Sequence, residues 1–153
     1  MSTPASTAAP GADSRQSAAE LDISSKVSSD FAKAKVLLVD DSRLIRMGLR
    51  RSLVEIGLTD ITEAGDGREA IETLVREHFD LMLLDMEMPE MNGMEVLAVL
   101  RDTPHHPWPP VIVISGGTSL EDAVRCIELG AEDYLSKPFN PVLLRARVRT
   151  SVE

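Results

Sequence analysis

Cysteine, aromatic side chains, positive charge and long apolar runs are all scarce in this chain. Cys126 is the one cysteine. A single thiol excludes an intrachain disulfide and fits a reducing compartment, and Cys126 reads as a packed helix residue rather than a reactive group. Aromatics are 3% of the residues, too few for a platform on which bases stack. Lys and Arg number 16 against 25 Asp and Glu, for a formal net charge of -9. That balance argues against a direct nucleic-acid partner, because phosphate backbones are met by basic faces. No apolar run approaches the length of a membrane helix, and no apolar core follows a basic start at the N-terminus. Neither a membrane contact nor a secretory signal is expected, and the expected location is cytoplasmic.

What is present divides into two parts. Residues 1–34 are rich in Ser, Ala, Thr and Pro without a sustained apolar period, and a disordered leader is expected there. A short amphipathic piece around Leu21, Ile23 and Val27 is the alternative reading within it. Residues 35–153 are long enough for one ordinary domain.

In this second part, short apolar runs alternate with helical patterns. Val36-Leu37-Leu38-Val39, Ile61-Thr62-Glu63-Ala64, Leu81-Met82-Leu83-Leu84, Val111-Ile112-Val113-Ile114 and Asp133-Tyr134-Leu135-Ser136 read as strands. The first, third and fourth are apolar throughout, as in strands covered on both faces. Between them, Ile45, Leu49, Leu53 and Ile56 mark a first helix capped by Ser42 and ended by Gly57. Ala70, Ile71, Leu74 and Val75 mark a second, and Val96, Leu97 and Leu100 a third opened by Gly93. Leu120, Ala123, Val124 and Ile127 mark a fourth, closed by Gly130. Pro141 begins a fifth through Val142, Leu144 and Val148. Strands alternating with helices predict an α/β fold with a parallel sheet, helices on both faces and right-handed crossovers.

In such a sheet the carboxyl ends of the strands share one edge, where ligands bind. The first strand delivers Asp40 and Asp41 there, the third Asp85, the fourth Ser115 and the fifth Lys137. Each residue alone is unremarkable; an Asp after a strand is ordinarily a helix cap or a solvated turn. Together they form a site. Three crowded carboxylates repel and take up protons unless cations are supplied, and Lys137 supplies a single charge. A hard divalent cation on oxygen ligands completes the balance, and Mg²⁺ suits a few carboxylates with waters and a phosphoryl oxygen. The arrangement suits phosphoryl transfer to an aspartate, with Ser115 supplying a hydroxyl and Gly116 leaving room.

Three segments carry a resemblance. Val36-Leu37-Leu38-Val39-Asp40-Asp41, Leu84-Asp85-Met86-Glu87-Met88-Pro89-Glu90-Met91-Asn92-Gly93 and Gly130-Ala131-Glu132-Asp133-Tyr134-Leu135-Ser136-Lys137-Pro138-Phe139 resemble the signature segments of the response-regulator receiver domain. The resemblance implies a flavodoxin-like (βα)5 doubly wound sheet of strand order 2-1-3-4-5. It makes Asp85 the phosphoacceptor, receiving its phosphoryl group from a histidine kinase or a histidine phosphotransfer protein. It implies a signalling domain that promotes its own phosphorylation and slow dephosphorylation, not a turnover enzyme. Mg²⁺ would be held by Asp41 and Asp85 directly, by the backbone carbonyl of Glu87, and by Asp40 through a water. Ser115, Gly116 and Lys137 would hold phosphoryl oxygens, and Ser115 with Tyr134 would form the switch. The Lys137-Pro138 bond matches one that is cis in the family. Serine at 115 departs mildly from the family's frequent threonine, and the hydroxyl is kept.

Two other readings compete. An aspartate-based phosphohydrolase would use Asp85 as nucleophile and Glu87 as acid/base, but such enzymes place the nucleophile on an earlier strand and carry a cap. A degenerate receiver would bind partners without Mg²⁺. His105 and His106 lie in a proline-rich stretch without a third ligand and read as a loop. Met82, Met86, Met88, Met91 and Met94 read as packing around strand and loop. The last helix is rich in cations at Arg145, Arg147 and Arg149 and reaches Glu153 without a closing glycine. The face of the fourth helix, fifth strand and fifth helix, with Arg125, Tyr134 and Arg145, is therefore expected to be the output surface. It would pair with a partner, a second copy or a missing C-terminal output domain.

Overall fold

Apolar residues on both sides of the central strands force helices onto both faces of the sheet. The structure, a computed structural model, describes residues 30–117 and 119–152. Most of the expected leader, with its amphipathic piece, lies outside the described residues. Strands β1 (Lys35–Val39), β2 (Asp60–Ala64), β3 (Leu81–Asp85), β4 (Val111–Ser115) and β5 (Asp133–Ser136) alternate with helices α1 (Arg43–Glu55), α2 (Gly67–Arg76), α3 (Gly93–Arg101), α4 (Leu120–Glu128) and α5 (Pro141–Val152). All neighbouring strands pair in parallel, in the order β2-β1-β3-β4-β5. This is the flavodoxin-like doubly wound sheet that the sequence predicts.

Alternate residues of each inner strand enter opposite cores. Leu37, Val39, Met82, Leu84, Val111 and Val113 meet α2, α3 and α4 through Ala70, Leu74, Val96, Leu97 and Cys126. Val36, Leu38, Leu81, Leu83, Ile112 and Ile114 meet α1 and α5 through Leu49, Leu53, Leu144 and Val148. Phe31 and Ala34 are buried in this second core, so packing begins ahead of Lys35. The Arg149 guanidinium lies over the Phe31 ring, 5.2 Å from its centroid.

Local chemistry sets the helix ends. Ser42, Asp66 and Ser119 accept from the N–H groups of Ile45, Glu69 and Asp122, and Asn92 and Glu95 form a reciprocal capping box. Gly57 and Gly130, at φ 101 and 107, take the left-handed turns that follow α1 and α4. The methionine series packs as expected: Met82 and Met88 are buried, with Met86, Met91 and Met94 against the same core. His106 stacks on Trp108 in the proline-rich loop, at 3.9 Å between centroids.

Helix α4 faces differently from the sequence pattern, while α5 turns inward the residues that the pattern marks. In α4 the inward residue is Cys126, while Leu120, Val124 and Ile127 are 78%, 45% and 47% exposed. The helix turns its smaller side chains inward and leaves its larger apolar ones as a stripe on the surface. In α5, Leu144 and Val148 are buried. Arg145 borders a hollow with Ser52 and Glu55 of α1 and with Ile56 just past its end, and Arg149 covers Phe31. At about 3.6 residues per turn, these two lie on the α1 side of α5. Arg147 reaches toward β5 instead, 3.1 Å from Asp133. The expected grouping of Arg145 with Tyr134 is thus corrected: Arg147 is the α5 cation beside β5.

Candidate functional site

The parallel register brings the ends of β1, β3, β4 and β5 to one edge. Asp40 N–H donates to Ala64 O, Met86 N–H to Ile114 O, and Lys137 N–H to Ser115 O, so the ladder continues just past the strands. Asp40, Asp85 and Ser115 are buried there, and Asp41 is exposed beside them. One oxygen from each of Asp40, Asp41 and Asp85 lies within 4.8 Å of the others. Lys137 Nζ donates to Asp85 Oδ1 at 2.8 Å and to Asp40 Oδ2 at 3.0 Å. The peptide bond from Lys137 to Pro138 is cis.

The backbone around Asp85 is held closely. Glu87 N–H donates to Asp85 Oδ1 at 3.3 Å, and Gly93 N–H to Met86 O at 2.9 Å. A Cβ on Gly93 would sit 2.6 Å from the Asp85 carbonyl oxygen, so glycine is required where α3 starts against the site. Asp40 is held from both ends: its Oδ1 accepts from Ser42 N–H at 2.8 Å, and its carbonyl accepts from the Arg46 guanidinium.

Electrostatics follows from this crowding. Burial, helped by the neighbouring Asp40 carboxylate, pushes the Asp85 carboxyl up to about 6 against the pull of Lys137. Burial alone would lower the Lys137 ammonium, but Asp85 and Asp40 outweigh it and hold the pKa above its ordinary value. The donor set is oxygen throughout and carries more negative charge than one lysine offsets. It therefore fits a hard divalent cation such as Mg²⁺.

Two side-chain roles were not anticipated from the sequence. The Glu87 side chain reaches across the site: Oε1 accepts from Ser115 Oγ at 2.5 Å and from Gly117 N–H at 3.3 Å, and Oε2 from Gly116 N–H at 3.1 Å. Burial alone would raise the Glu87 carboxyl, but these donors outweigh it and hold it below its ordinary range. A Cβ on Gly116 would meet Glu87 Oε2 at 3.8 Å, an ordinary contact, so Gly116 contributes its N–H more than space. Arg46, which positions Asp40, is itself fixed by Glu63 on β2 at 3.0 Å. Its signal lies in the arginines Arg43, Arg46, Arg50 and Arg51 of α1, a helix that starts just after Asp41. The last member, Tyr134, is half-buried, and its hydroxyl donates to Gly117 O at 3.2 Å, beside Ser115.

Fold and site together define a doubly wound α/β domain with an acidic cluster and a lysine at its carboxyl edge. The response regulator receiver domain model matches residues 36–149. The chain is 43% identical over 115 residues to the transcriptional regulatory protein CpxR of Escherichia coli K12, covering 75% of this chain and 47% of that one. It is 37% identical over 124 residues to a probable cyclic di-GMP phosphodiesterase of Vibrio cholerae, covering 81% and 28%. The chain thus spans about half, or less, of these curated relatives. Among solved structures, the receiver domain of the Francisella response regulator 1452 superposes with a TM-score of 0.72 at 32% identity, covering 78% of this chain and 97% of that one. The Vibrio cholerae chemotaxis protein CheY4 superposes at 0.70 and 34%, covering 77% and 98%. The chain belongs to the response-regulator receiver family of two-component signalling systems.

Proposed function

We propose that this domain takes a phosphoryl group onto Asp85 from a phosphohistidine on a histidine kinase or histidine phosphotransfer protein. The observation that carries this reading is the buried Asp85 carboxylate, bonded to Lys137 inside a cluster with Asp40 and Asp41. An Asp85 oxygen attacks phosphorus, the P–N bond breaks, and the donor imidazole keeps the electron pair. Lys137, Ser115 and the Gly116 N–H hold the phosphoryl oxygens as charge shifts onto them. Asp41, Asp85 and the Glu87 carbonyl would hold Mg²⁺, with Asp40 acting through a water. Bound there, the ion offsets the carboxylate charge and polarises the phosphoryl oxygens. Water later attacks phosphorus, the bond to Asp85 breaks, and inorganic phosphate leaves. Because its side chain is engaged by Ser115, Gly116 and Gly117, Glu87 is not poised as an acid/base; this favours a receiver over a phosphohydrolase.

The output belongs to the same reading. A phosphoryl group drawing on Ser115 disturbs the loop that holds the Tyr134 hydroxyl through Gly117. Tyr134 lies on β5 beside α4, whose surface carries Leu120, Val124 and Ile127, with Arg125 among them. An apolar stripe beside the switch residue suits a partner, a second copy or a further output domain. No direct nucleic-acid or membrane contact is invoked: the charge is acidic, and no helix among the described residues is long and apolar enough to cross a membrane. A cytoplasmic location fits the single, buried, unpaired Cys126. The decisive test is incubation with acetyl phosphate and Mg²⁺, followed by intact mass. One phosphoryl group on the wild type and none on Asp85→Asn is expected; equal labelling of both overturns the assignment.

A further inference from the structure

The donors that would receive a phosphoryl oxygen already hold an anion belonging to the chain itself. Ser115 Oγ, Gly116 N–H and Gly117 N–H converge on the Glu87 carboxylate at 2.5, 3.1 and 3.3 Å. A carboxylate and a phosphoryl group both present oxygens to paired donors, so the two compete for one cradle. The backbone of Glu87 is tied to Asp85 Oδ1 through its own N–H, so the side chain swings from a point beside the phosphoacceptor. Glu87 is exposed and its carboxylate is held by these hydrogen bonds, with Oε2 at 3.8 Å the nearest atom that a Cβ on Gly116 would meet. We propose that the Glu87 side chain is an internal anion that fills the oxyanion cradle of the unphosphorylated domain and has to swing out before a phosphoryl group enters.

The inference rests on the reading of Asp85 as phosphoacceptor and adds a gate to it. An incoming donor, itself anionic, meets both a filled cradle and an extra negative charge. Uptake is slowed, and Ser115 is held until Glu87 leaves. Because the gate turns on side-chain torsions and no core packing, removing it leaves the fold intact.

Three chains test the gate: wild type, Glu87→Ala, which empties the cradle, and Glu87→Gln, which keeps the reach without the charge. Inorganic phosphate is titrated against each in metal-free buffer while the Gly116 and Gly117 amide resonances are followed. Acetyl phosphate labelling with Mg²⁺ is then timed by intact mass. Glu87→Ala is expected to half-saturate at about tenfold less phosphate and to label about tenfold faster, with Glu87→Gln between, as charge-assisted hydrogen bonds to an exposed carboxylate are lost. Equal phosphate response and equal labelling in wild type and Glu87→Ala overturn the gate while leaving the phosphoacceptor in place. Tighter phosphate binding by Glu87→Ala with no labelling of any chain keeps the gate and removes the phosphoacceptor.

Discussion

Lys137 Nζ stands 2.8 Å from Asp85 Oδ1 while also bonding Asp40, so one ammonium serves two buried carboxylates. Replacing it with methionine keeps most of the reach and removes the charge. Lys137→Met is expected to lower the initial rate of Asp85 labelling by acetyl phosphate by about 10²-fold, the scale of losing one preorganised donor in a transfer site. The Asp85 carboxyl should also titrate higher than in the wild type, as read from its carboxyl carbon resonance. An unchanged rate would place the phosphoryl oxygens away from Lys137.

The raised Asp85 carboxyl makes stability depend on pH with a definite sign. The carboxyl shifts from 3.8 to about 6 because of burial first and Asp40 second. Across that window the folded chain holds a proton that the unfolded chain has lost, so Asp85 lowers stability as pH rises, and its effect levels off above about 6. Glu63 and Glu87, whose carboxyls are held low, run the other way. Comparing wild type with Asp85→Asn isolates the Asp85 contribution. In metal-free buffer near neutral pH, Asp85→Asn should show the higher urea midpoint, and the advantage should shrink as pH falls toward 3.8. Mg²⁺ should stabilise the wild type more near neutral pH than in acid, since the bound proton has to leave.

Gly93 and Gly116 both border the site and differ in what a methyl group would meet. At Gly93 it meets Asp85 O at 2.6 Å and Met86 Cα at 2.8 Å, both backbone. Gly93→Ala is expected to cost about 1–3 kcal/mol in urea unfolding, the usual range for overpacking, and to slow labelling by shifting Asp85. Gly116→Ala should stay within about 0.5 kcal/mol of wild type.

Arg46 binds no ligand in this scheme, yet it fixes the Asp40 carbonyl and is itself fixed by Glu63. Arg46→Met should weaken Mg²⁺ binding about tenfold by calorimetry, the lower end for lost outer-shell partners. Glu63→Gln should weaken it less, because Arg46 keeps its bond to Asp40.

The exposed α4 stripe is tested by charge. Val124→Glu combined with Ile127→Glu should leave the labelling rate of Asp85 unchanged and abolish any phosphorylation-dependent association seen by light scattering or partner capture. Association that survives both changes would place the output elsewhere.

The sheet and the site edge were legible in the sequence for a simple reason. Runs such as Leu81-Met82-Leu83-Leu84 are apolar at every position, which a strand tolerates when both faces are covered. Once the strands are parallel, Asp40, Asp85, Ser115 and Lys137 have to converge. The orientation of α4 was not legible. Periodicity marks Leu120, Val124 and Ile127 as one stripe, but does not say whether the sheet or solvent faces it. The role of Glu87 was hidden because a long, exposed carboxylate two residues from Asp85 finds its partners on β4, distant in sequence and set by register alone. The α5 arginines separated for a similar reason: their faces depend on where Leu144 and Val148 seat the helix.

The contact between Phe31 and Arg149 has a consequence for wiring. Phe31 precedes β1, and Arg149 lies in the last turn of α5, a helix that runs back toward the start of the sheet. The two ends of the folded unit are therefore neighbours, on the rim opposite Asp85. The first and last turns of the folded unit are thus wired to each other through one aromatic–guanidinium clasp.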